Sequence, residues 1–228
     1  MYDGDKDQYG QIGYLPDELK GYLDGLMTAQ FSLMGYDILD EPLSKKSDEI
    51  TEYVKTSLGQ CYRKCDVGIF GDIIRKRLTM YDRMGILKIL GTHFDVGLYC
   101  ERKQPDLPVK YEGIVAHSNL PDVIIRSKIN LNISLRSIRK GIPLRVMHIL
   151  GTGGFCMTDY KEDMNGLFED GKDIAWYGSR EELLDKCSFY LENEAVRKKI
   201  ALKGKETAET RLTYEILFSK IFSLIETA

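Results

Sequence analysis

Basic side chains, glycines and a proline are concentrated in one segment of the second half of the chain, where they could bind an anion. Arg136, Arg139 and Lys140 follow an apolar run. Gly141 and Pro143 come next and favour the start of a helix. Free backbone N–H groups at a helix start attract anions, and a guanidinium can bind two phosphate oxygens at once. The pattern therefore predicts a phosphate-binding loop, although a solvated basic loop without a ligand fits it equally well.

Arg145 and His148 lie three residues apart on the helix predicted over residues 143–150, so their side chains share one face. Arg145 either faces a ligand or pairs with an acidic residue such as Asp159. A lone histidine on a helix is more often a packing or surface residue, and only its neighbours favour ligand contact for His148. Asp159 follows the next predicted strand, where it either caps a helix or, like Asp163, accepts hydrogen bonds from sugar hydroxyls.

Two further segments could approach a phosphate group. The glycines of residues 151–154 do not form the dinucleotide-binding fingerprint, because their spacing differs and they follow a helix instead of a strand. Gly153 is therefore interpreted as a helix C-cap, with close backbone approach to a ligand as the alternative. Arg75 begins a basic run after the first predicted strand and could meet a pyrophosphate, whereas a solvated loop is the competing interpretation. No pattern identifies a catalytic residue.

The elements that must position these residues change in character along the chain. The first part is predicted to be helical, with helices over residues 15–35 and 47–64 and no strand. Short apolar runs then alternate with amphipathic stretches, which predicts strands at 67–71, 94–99, 114–115, 129–133, 154–158 and 173–177, and helices at 78–90, 120–125, 143–150, 181–190, 195–202 and 205–225.

This alternation is typical of an α/β fold with a Rossmann-like, doubly wound parallel sheet. In such folds, ligands bind beyond the carboxyl ends of the strands, which is where the loops named above are expected. We therefore predict two parts, a helical N-terminal segment over residues 1–65 and a Rossmann-like domain over residues 66–228.

Composition disfavours several kinds of partner. The 228-residue chain has a formal net charge of -3, so it lacks the basic surface that duplex nucleic acid demands. Its N-terminus has no signal-peptide pattern, and no run approaches the roughly 18–20 apolar residues of a membrane helix. We therefore expect a cytoplasmic protein without a membrane span. Five cysteines without a C-x-x-C pair and three scattered histidines predict reduced thiols and no metal site.

Several segments together resemble the C-terminal domain of CgeB-like (spore maturation) glycosyltransferases. They are residues 127–132 (SKINLN), 141–151 (GIPLRVMHILG), 153–155 (GGF), 158–160 (TDY), 167–173 (LFEDGKD), 190–191, 197–201 and 213–215, preceded upstream by a similar stretch over 15–30. The resemblance implies one half of a GT-B fold, in which a Rossmann-like domain holds a nucleoside-diphosphate sugar as substrate. It also implies that no metal or other cofactor is needed, because basic side chains and helix N-termini stabilise the departing diphosphate. The predicted donor-binding residues are Arg75, Arg136, Arg139, Lys140, Arg145, His148, Gly153 and Asp159.

The sequence departs from this family in two respects. Many retaining GT-B enzymes carry two glutamates near the phosphate-binding turn, and Lys140 and His148 occupy the corresponding positions. The usual N-terminal, acceptor-binding domain is also not expected, because the helical first 65 residues cannot supply its sheet. The main hypothesis is the donor-binding domain of a glycosyltransferase with an unknown acceptor, working as a homodimer or with a partner domain.

Two alternatives stay open, because a fold does not determine a function. The chain could be a non-catalytic module that binds nucleotide sugars or another protein. It could also be an unrelated doubly wound domain, such as a flavodoxin-like regulator. That alternative would require an acidic or flavin site after the first strand, which the basic run at Arg75 disfavours.

Overall fold

The computed structural model describes residues 15–57 and 67–226, and the contacts within the chain divide it into two compact units. Unit 1 comprises Met1–Ile114 and Ile133–Arg139, and unit 2 comprises Val115–Asn132 and Lys140–Ala228. The predicted boundary between residues 65 and 66 lies outside the described residues, so the two-domain assignment made from the sequence stays a prediction.

The N-terminal part of unit 1 is helical, as predicted. It contains α1 (Asp17–Ser32), α2 (Asp40–Lys45) and α3 (Ser47–Ser57), and the rest of the helix predicted to residue 64 lies outside the described residues. Pro16 directly precedes α1, and two acidic residues occupy its first turn, where the helix dipole favours negative charge. One face of α1 is buried in the core of the unit.

The helix α4 (Val67–His93) corrects the sequence prediction, which placed a strand at residues 67–71 and a loop at 72–77. Phe70, Ile74 and Leu78 recur every four residues, and all three side chains are completely buried against the core formed with α1. A short apolar run cannot be assigned to a strand or a buried helix by periodicity alone. Residues 67–77 form a helix and not a strand because this conformation buries one continuous apolar face in the core.

Unit 1 also contains two short parallel strands, β1 (Gly97–Tyr99) and β2 (Lys110–Gly113). The first lies within the predicted strand at 94–99, whereas the second ends just before the strand predicted at 114–115, which is therefore misplaced. In α4, Gly91 lies so close to the segment preceding β2 that a Cβ atom there would stand 2.2 Å from the carbonyl oxygen of Pro108.

Unit 2 is built from parallel strands that alternate with helices. Its elements are α5 (Leu120–Arg126), β3 (Asn130–Asn132), α6 (Leu144–Thr152), β4 (Cys156–Asp159), β5 (Ala175–Tyr177), α7 (Arg180–Glu192), α8 (Glu194–Arg211) and α9 (Tyr214–Glu226). The sheet has the order β3-β4-β5, and both strand pairs are parallel. The predicted α/β class, with an N-terminal helical segment, is therefore confirmed.

The core of unit 2 lies around α6, whose Val146, Ile149 and Leu150 are buried. Against it, α8 passes very close to the loop before β5, because a Cβ atom on Gly204 would stand 2.3 Å from the carbonyl oxygen of Asp173. Residue 204 is a glycine because this close contact leaves no room for a side chain, and it does not interrupt the helix. The break predicted near residues 203–204 is therefore wrong, and α8 instead ends at Arg211.

Candidate functional site

Arg136 is held in place by unit 1. Its guanidinium binds Asp82 with two nitrogens, Nε to Oδ2 at 2.5 Å and Nη2 to Oδ1 at 3.1 Å. Its Nη1 donates to the backbone carbonyl oxygens of Gln30 and Leu33, both at 3.1 Å. These carbonyls lie at the C-terminal end of α1, where acceptors lack partners within the helix. Arg136 therefore joins a buried carboxylate to a helix end.

Arg75 and Arg139 also bind carboxylates within unit 1. Arg75 is only 5% exposed, and it donates from Nε to Asp37 at 2.5 Å and from Nη2 to Asp40 at 2.6 Å. Arg139 is more exposed and donates to the second oxygen of Asp40. Burial would raise the pKa of Asp37, but hydrogen bonds from Arg75 and from the amide of Leu39 outweigh it and lower that pKa.

These pairs bear on the predicted roles of the three arginines. Arg75 was predicted to meet a pyrophosphate from a loop after a strand. Residue 75 instead lies inside the helix α4, so that reason for the prediction no longer holds. Arg136 and Arg139 do follow β3, as expected, yet each already has a carboxylate partner. Their participation in donor binding stays a prediction, and a phosphate would have to compete with these carboxylates.

In unit 2, the segment from Lys140 to the start of α6 is shaped for close approach of the backbone. Gly141 has a φ of +87°, a left-handed conformation that glycine adopts without strain, and its N–H donates to Asp163 Oδ2 at 2.5 Å. Pro143 precedes α6, and no side chain caps the first turn of that helix. Lys140 is exposed and makes no hydrogen bond or ion pair with the described residues.

Arg145 lies in the first turn of α6 and is exposed. Among the described residues it has neither a hydrogen-bond acceptor nor an ion-pair partner, so the pairing with Asp159 that the sequence left open is not made. A guanidinium in the first turn of a helix adds a full positive charge to the partial charge of the free N–H groups there. The start of α6 can therefore attract an anion.

His148 lies one turn further along α6 and contacts a second histidine. Its ring meets the ring of His117 edge to face, with the centroids 5.5 Å apart. Partial burial lowers the pKa of His148, and the charge of Arg145 and the neighbouring His117 lower it further. A neutral imidazole offers one donor and one acceptor, which suits a hydroxyl partner better than a phosphate.

Asp159 ends β4, so its carboxylate lies at the carboxyl end of the sheet, where α6 also begins. Lys161 Nζ stands 3.8 Å from its Oδ2, and the hydroxyl of Thr158 lies 3.4 Å from its Oδ1. The helical turn that follows begins after Lys161 without a side-chain cap, so capping by Asp159 is not observed. On the neighbouring strand, the amide of Asn132 donates to Thr158 at 2.9 Å and fixes the local register.

Gly153 has the role of a C-cap, as the sequence suggested. It follows the last residue of α6 with a φ of +90°, and its N–H donates to the carbonyl oxygen of Leu150 at 2.8 Å. This places it at the end of α6 opposite Arg145, about 12 Å away along the helix axis. Its predicted contact with a donor stays a prediction that this position disfavours.

Two contacts of this region were not predicted from the sequence, His117 with His148 and Asp163 with Gly141. His117 was counted only as a scattered histidine, and no spacing rule connects it to His148, because they lie on different elements. Asp163 was considered for sugar hydroxyls, but one of its oxygens accepts the N–H of Gly141 and links the loop after β4 to the loop before α6. Only the folded chain brings these pairs together.

Neither a metal-binding cluster nor a membrane-spanning helix occurs among the described residues. They contain no group of three or more histidine, cysteine or acidic side chains that could hold a metal ion. Within the same ranges, 15–57 and 67–226, no helix is both long and apolar enough to cross a membrane.

Similarity to known proteins identifies the family of the chain. No curated protein matches the chain. Residues 76–222 match the model of a family described as glycosyl transferase-like, and this span covers more than half of the chain, with the whole of α6 and all five strands that the structure describes. A domain of this kind implies a sugar donor as substrate. The chain therefore belongs to the glycosyl transferase-like family.

Proposed function

We propose that unit 2 binds a nucleoside-diphosphate sugar at the start of α6 and that the chain transfers the sugar to an acceptor. The observation that supports this most strongly is the state of Arg145. In a member of the glycosyl transferase-like family, an exposed arginine without an acceptor among the described residues lies in the first turn of a helix at the carboxyl end of a parallel sheet. Ligands of such sheets bind at that edge.

The chemistry of sugar transfer explains why these residue types suit the site. As the bond to the sugar breaks, negative charge grows on the departing diphosphate, and fixed positive groups lower the energy of that state. Arg145, Lys140 and the uncapped N–H groups of α6 are such groups. Asp159 can accept hydrogen bonds from sugar hydroxyls, and neutral His148 can bind a ribose hydroxyl.

The narrower assignment to CgeB-like glycosyltransferases is also a proposal. It is supported by the combination of sequence segments from 127–132 to 213–215 and by the position of 141–151, which spans the loop before α6 and most of that helix. The assignment of residues 66–228 as a donor-binding domain has the same support. It leaves the sugar, the base and the acceptor to experiment.

Calorimetric titration with UDP, GDP and their common sugar conjugates tests this proposal. We expect micromolar binding of at least one nucleotide, and we expect Arg145→Ala to weaken it by roughly 1.5–3 kcal/mol through loss of a charge-assisted hydrogen bond. Arg126→Ala is the matched control, since Arg126 is an exposed arginine of the same unit at the end of α5, the opposite edge of the sheet. Equal affinities of the two variants would remove Arg145 from the site.

A second candidate is a module that binds the nucleotide sugar without transferring it. Lys140 and His148 favour it, because they replace the two glutamates expected near this turn, and His148 packs against His117. Release of free nucleoside diphosphate from the bound sugar nucleotide, measured over hours in the presence of candidate acceptors, separates the two. Tight binding without release would favour the module.

A further inference from the structure

The last helix, α9, carries a continuous apolar surface that the rest of unit 2 leaves open. Six of its side chains are between 39% and 74% exposed: Tyr214, Leu217, Phe218, Ile221, Phe222 and Ile225. They recur at intervals of three and four residues, so they form one stripe along the helix. We call this surface the α9 stripe. Its length is about 17 Å, from the rise of 1.5 Å per residue.

The aromatic members of the α9 stripe are ordered among themselves. The rings of Tyr214 and Phe218 lie 6.2 Å apart and nearly parallel, at 25°, and those of Phe218 and Phe222 lie 6.4 Å apart at 29°. Such a ladder of rings restricts the side chains before any partner arrives, which lowers the entropy that binding must overcome. The side chains of the α9 stripe are therefore preorganised for binding, with a lower entropy cost than mobile side chains would have.

The charges of α9 favour a protein partner over a lipid surface. Its sequence, YEILFSKIFSLIE, contains one lysine and two glutamates. Amphipathic helices that lie on membranes usually carry lysine and arginine on the polar face, which anionic lipids attract. This helix lacks that excess of basic residues, and its polar residues Glu215, Ser219 and Ser223 are exposed on the faces of α9 outside the stripe.

The area of the α9 stripe fits a second copy of the same chain. Its six side chains together expose roughly 600 Å², which is at the top of the range for the largest apolar patch on a monomer. Two such stripes facing each other would bury roughly 1,200 Å², the lower limit for a specific interface. Residues Tyr214, Phe218, Ile221 and Ile225 follow the alternating four-three-four spacing of a coiled-coil seam, which is self-complementary about a twofold axis.

We propose that two copies of this chain associate through their α9 stripes, with the side chains of one helix inserted between those of the other. Each copy covers the apolar surface of its partner, and a single twofold axis closes the assembly. The proposal concerns a surface separate from the start of α6, and it holds or fails without reference to nucleotide binding.

Sedimentation of the nucleotide-free chain across a concentration series tests the proposal. We expect a dimer, and we expect the double substitution Phe218→Glu and Phe222→Glu to raise its dissociation constant by roughly 100-fold or more, as for central interface residues. Ser223→Glu is the control, because it adds a charge on the face of α9 opposite the stripe and should leave the dimer intact. Far-UV circular dichroism and the melting temperature check that each variant is folded.

A gentler pair of variants keeps the test valid if the charged variant does not fold. Phe218→Ala and Phe222→Ala should each weaken the dimer by roughly tenfold. A wild-type monomer at the highest concentration would overturn the proposal, as would a dimer that the stripe variants leave unchanged. Slow amide exchange of α9 in a monomer would show instead that the chain covers its own stripe. Dissociation of the dimer by phosphatidylcholine–phosphatidylserine vesicles that bind α9 would show a membrane as the occupant.

Discussion

The two units use the basic residues of one sequence motif in opposite ways. In unit 1, Arg136 and Arg139 are bound to carboxylates, and Arg136 also binds the end of α1. In unit 2, Lys140 and Arg145 remain exposed without an ion pair among the described residues. A run of basic residues in a sequence is thus compatible with structural and ligand-binding roles side by side. What separates the roles is the presence of acids from distant parts of the chain.

The largest expected effect tests the structural side of this comparison. Asp82→Ala leaves the guanidinium of Arg136 without its carboxylate, and Asp82 is only 3% exposed. We expect the free energy of unfolding, measured by urea denaturation, to fall by about 3–5 kcal/mol. Asp72→Ala is the matched control on the same helix, because its exposed pair with Lys76 should contribute less than about 1 kcal/mol. Similar losses of unfolding free energy in both variants would show that the buried pair of Arg136 and Asp82 stabilises the fold no more than an exposed pair does.

The next effect tests the ligand-binding side. Arg145→Ala should change the free energy of unfolding by less than about 0.5 kcal/mol, because the exposed side chain makes no bond to the described residues. The same variant should lose roughly 1.5–3 kcal/mol of nucleotide affinity. Urea denaturation and calorimetry on the same preparation provide the two numbers. A large loss of stability in Arg145→Ala would show that Arg145, like Arg136, has a structural role, and would contradict the difference between the two units.

A smaller effect concerns Gly153, for which the sequence indicated a helix C-cap with donor contact as the alternative and which the structure shows as a C-cap. Gly153→Ala forces alanine into a left-handed conformation and should lower the free energy of unfolding by about 1–2 kcal/mol. Gly151→Ala, in the same helix and with open space around its Cα, should be neutral or stabilising. If Gly153→Ala also weakens nucleotide binding well beyond Gly151→Ala, the predicted donor contact gains support.

The smallest effect is a shift in the pKa of His148. Arg145→Ala and His117→Ala should both raise that pKa towards its ordinary value, and Arg145→Ala should raise it more, because its charge has the larger influence. Titration of the ring protons by NMR measures the shift. A pKa that is lower in the folded than in the unfolded chain means that the unfolded chain binds the proton more readily. The free energy of unfolding should therefore fall as the pH drops below about 6.5.

The strands of unit 2 and its helices from α5 to α7 could be predicted closely from the sequence, whereas the boundary between α8 and α9 could not. Each of β3 and β5 lies inside its predicted run, and β4 overlaps its run, because apolar residues bounded by glycine and polar residues mark short buried strands. The helix α4 could not be predicted from its first residues, since its burial depends on α1 and α2. Local sequence patterns therefore predicted the elements that pack against their neighbours in the sequence. They failed for α4, which is buried by helices distant from it in the sequence.

The candidate site was harder to predict than the fold. The partners of Arg75 and Arg136 lie 38 and 54 positions away along the chain, and no local pattern connects them. The contact between His117 and His148 is equally non-local. By contrast, the exposed position of Arg145 in the first turn of α6 follows from Pro143 and the apolar spacing of that helix, which are local features.

The short segment Ile133–Arg139 limits how the two units can be separated by recombination. It stands between β3 and α6 in the sequence, yet it belongs to unit 1. A gene fusion or recombination event with one junction after Ile114 would carry Arg136 away from Asp82 and place the two charges of this ion pair in separate products. The two units are therefore interleaved in the gene, and evolution or protein engineering can exchange them only as a pair or by a double crossover that moves the segment too.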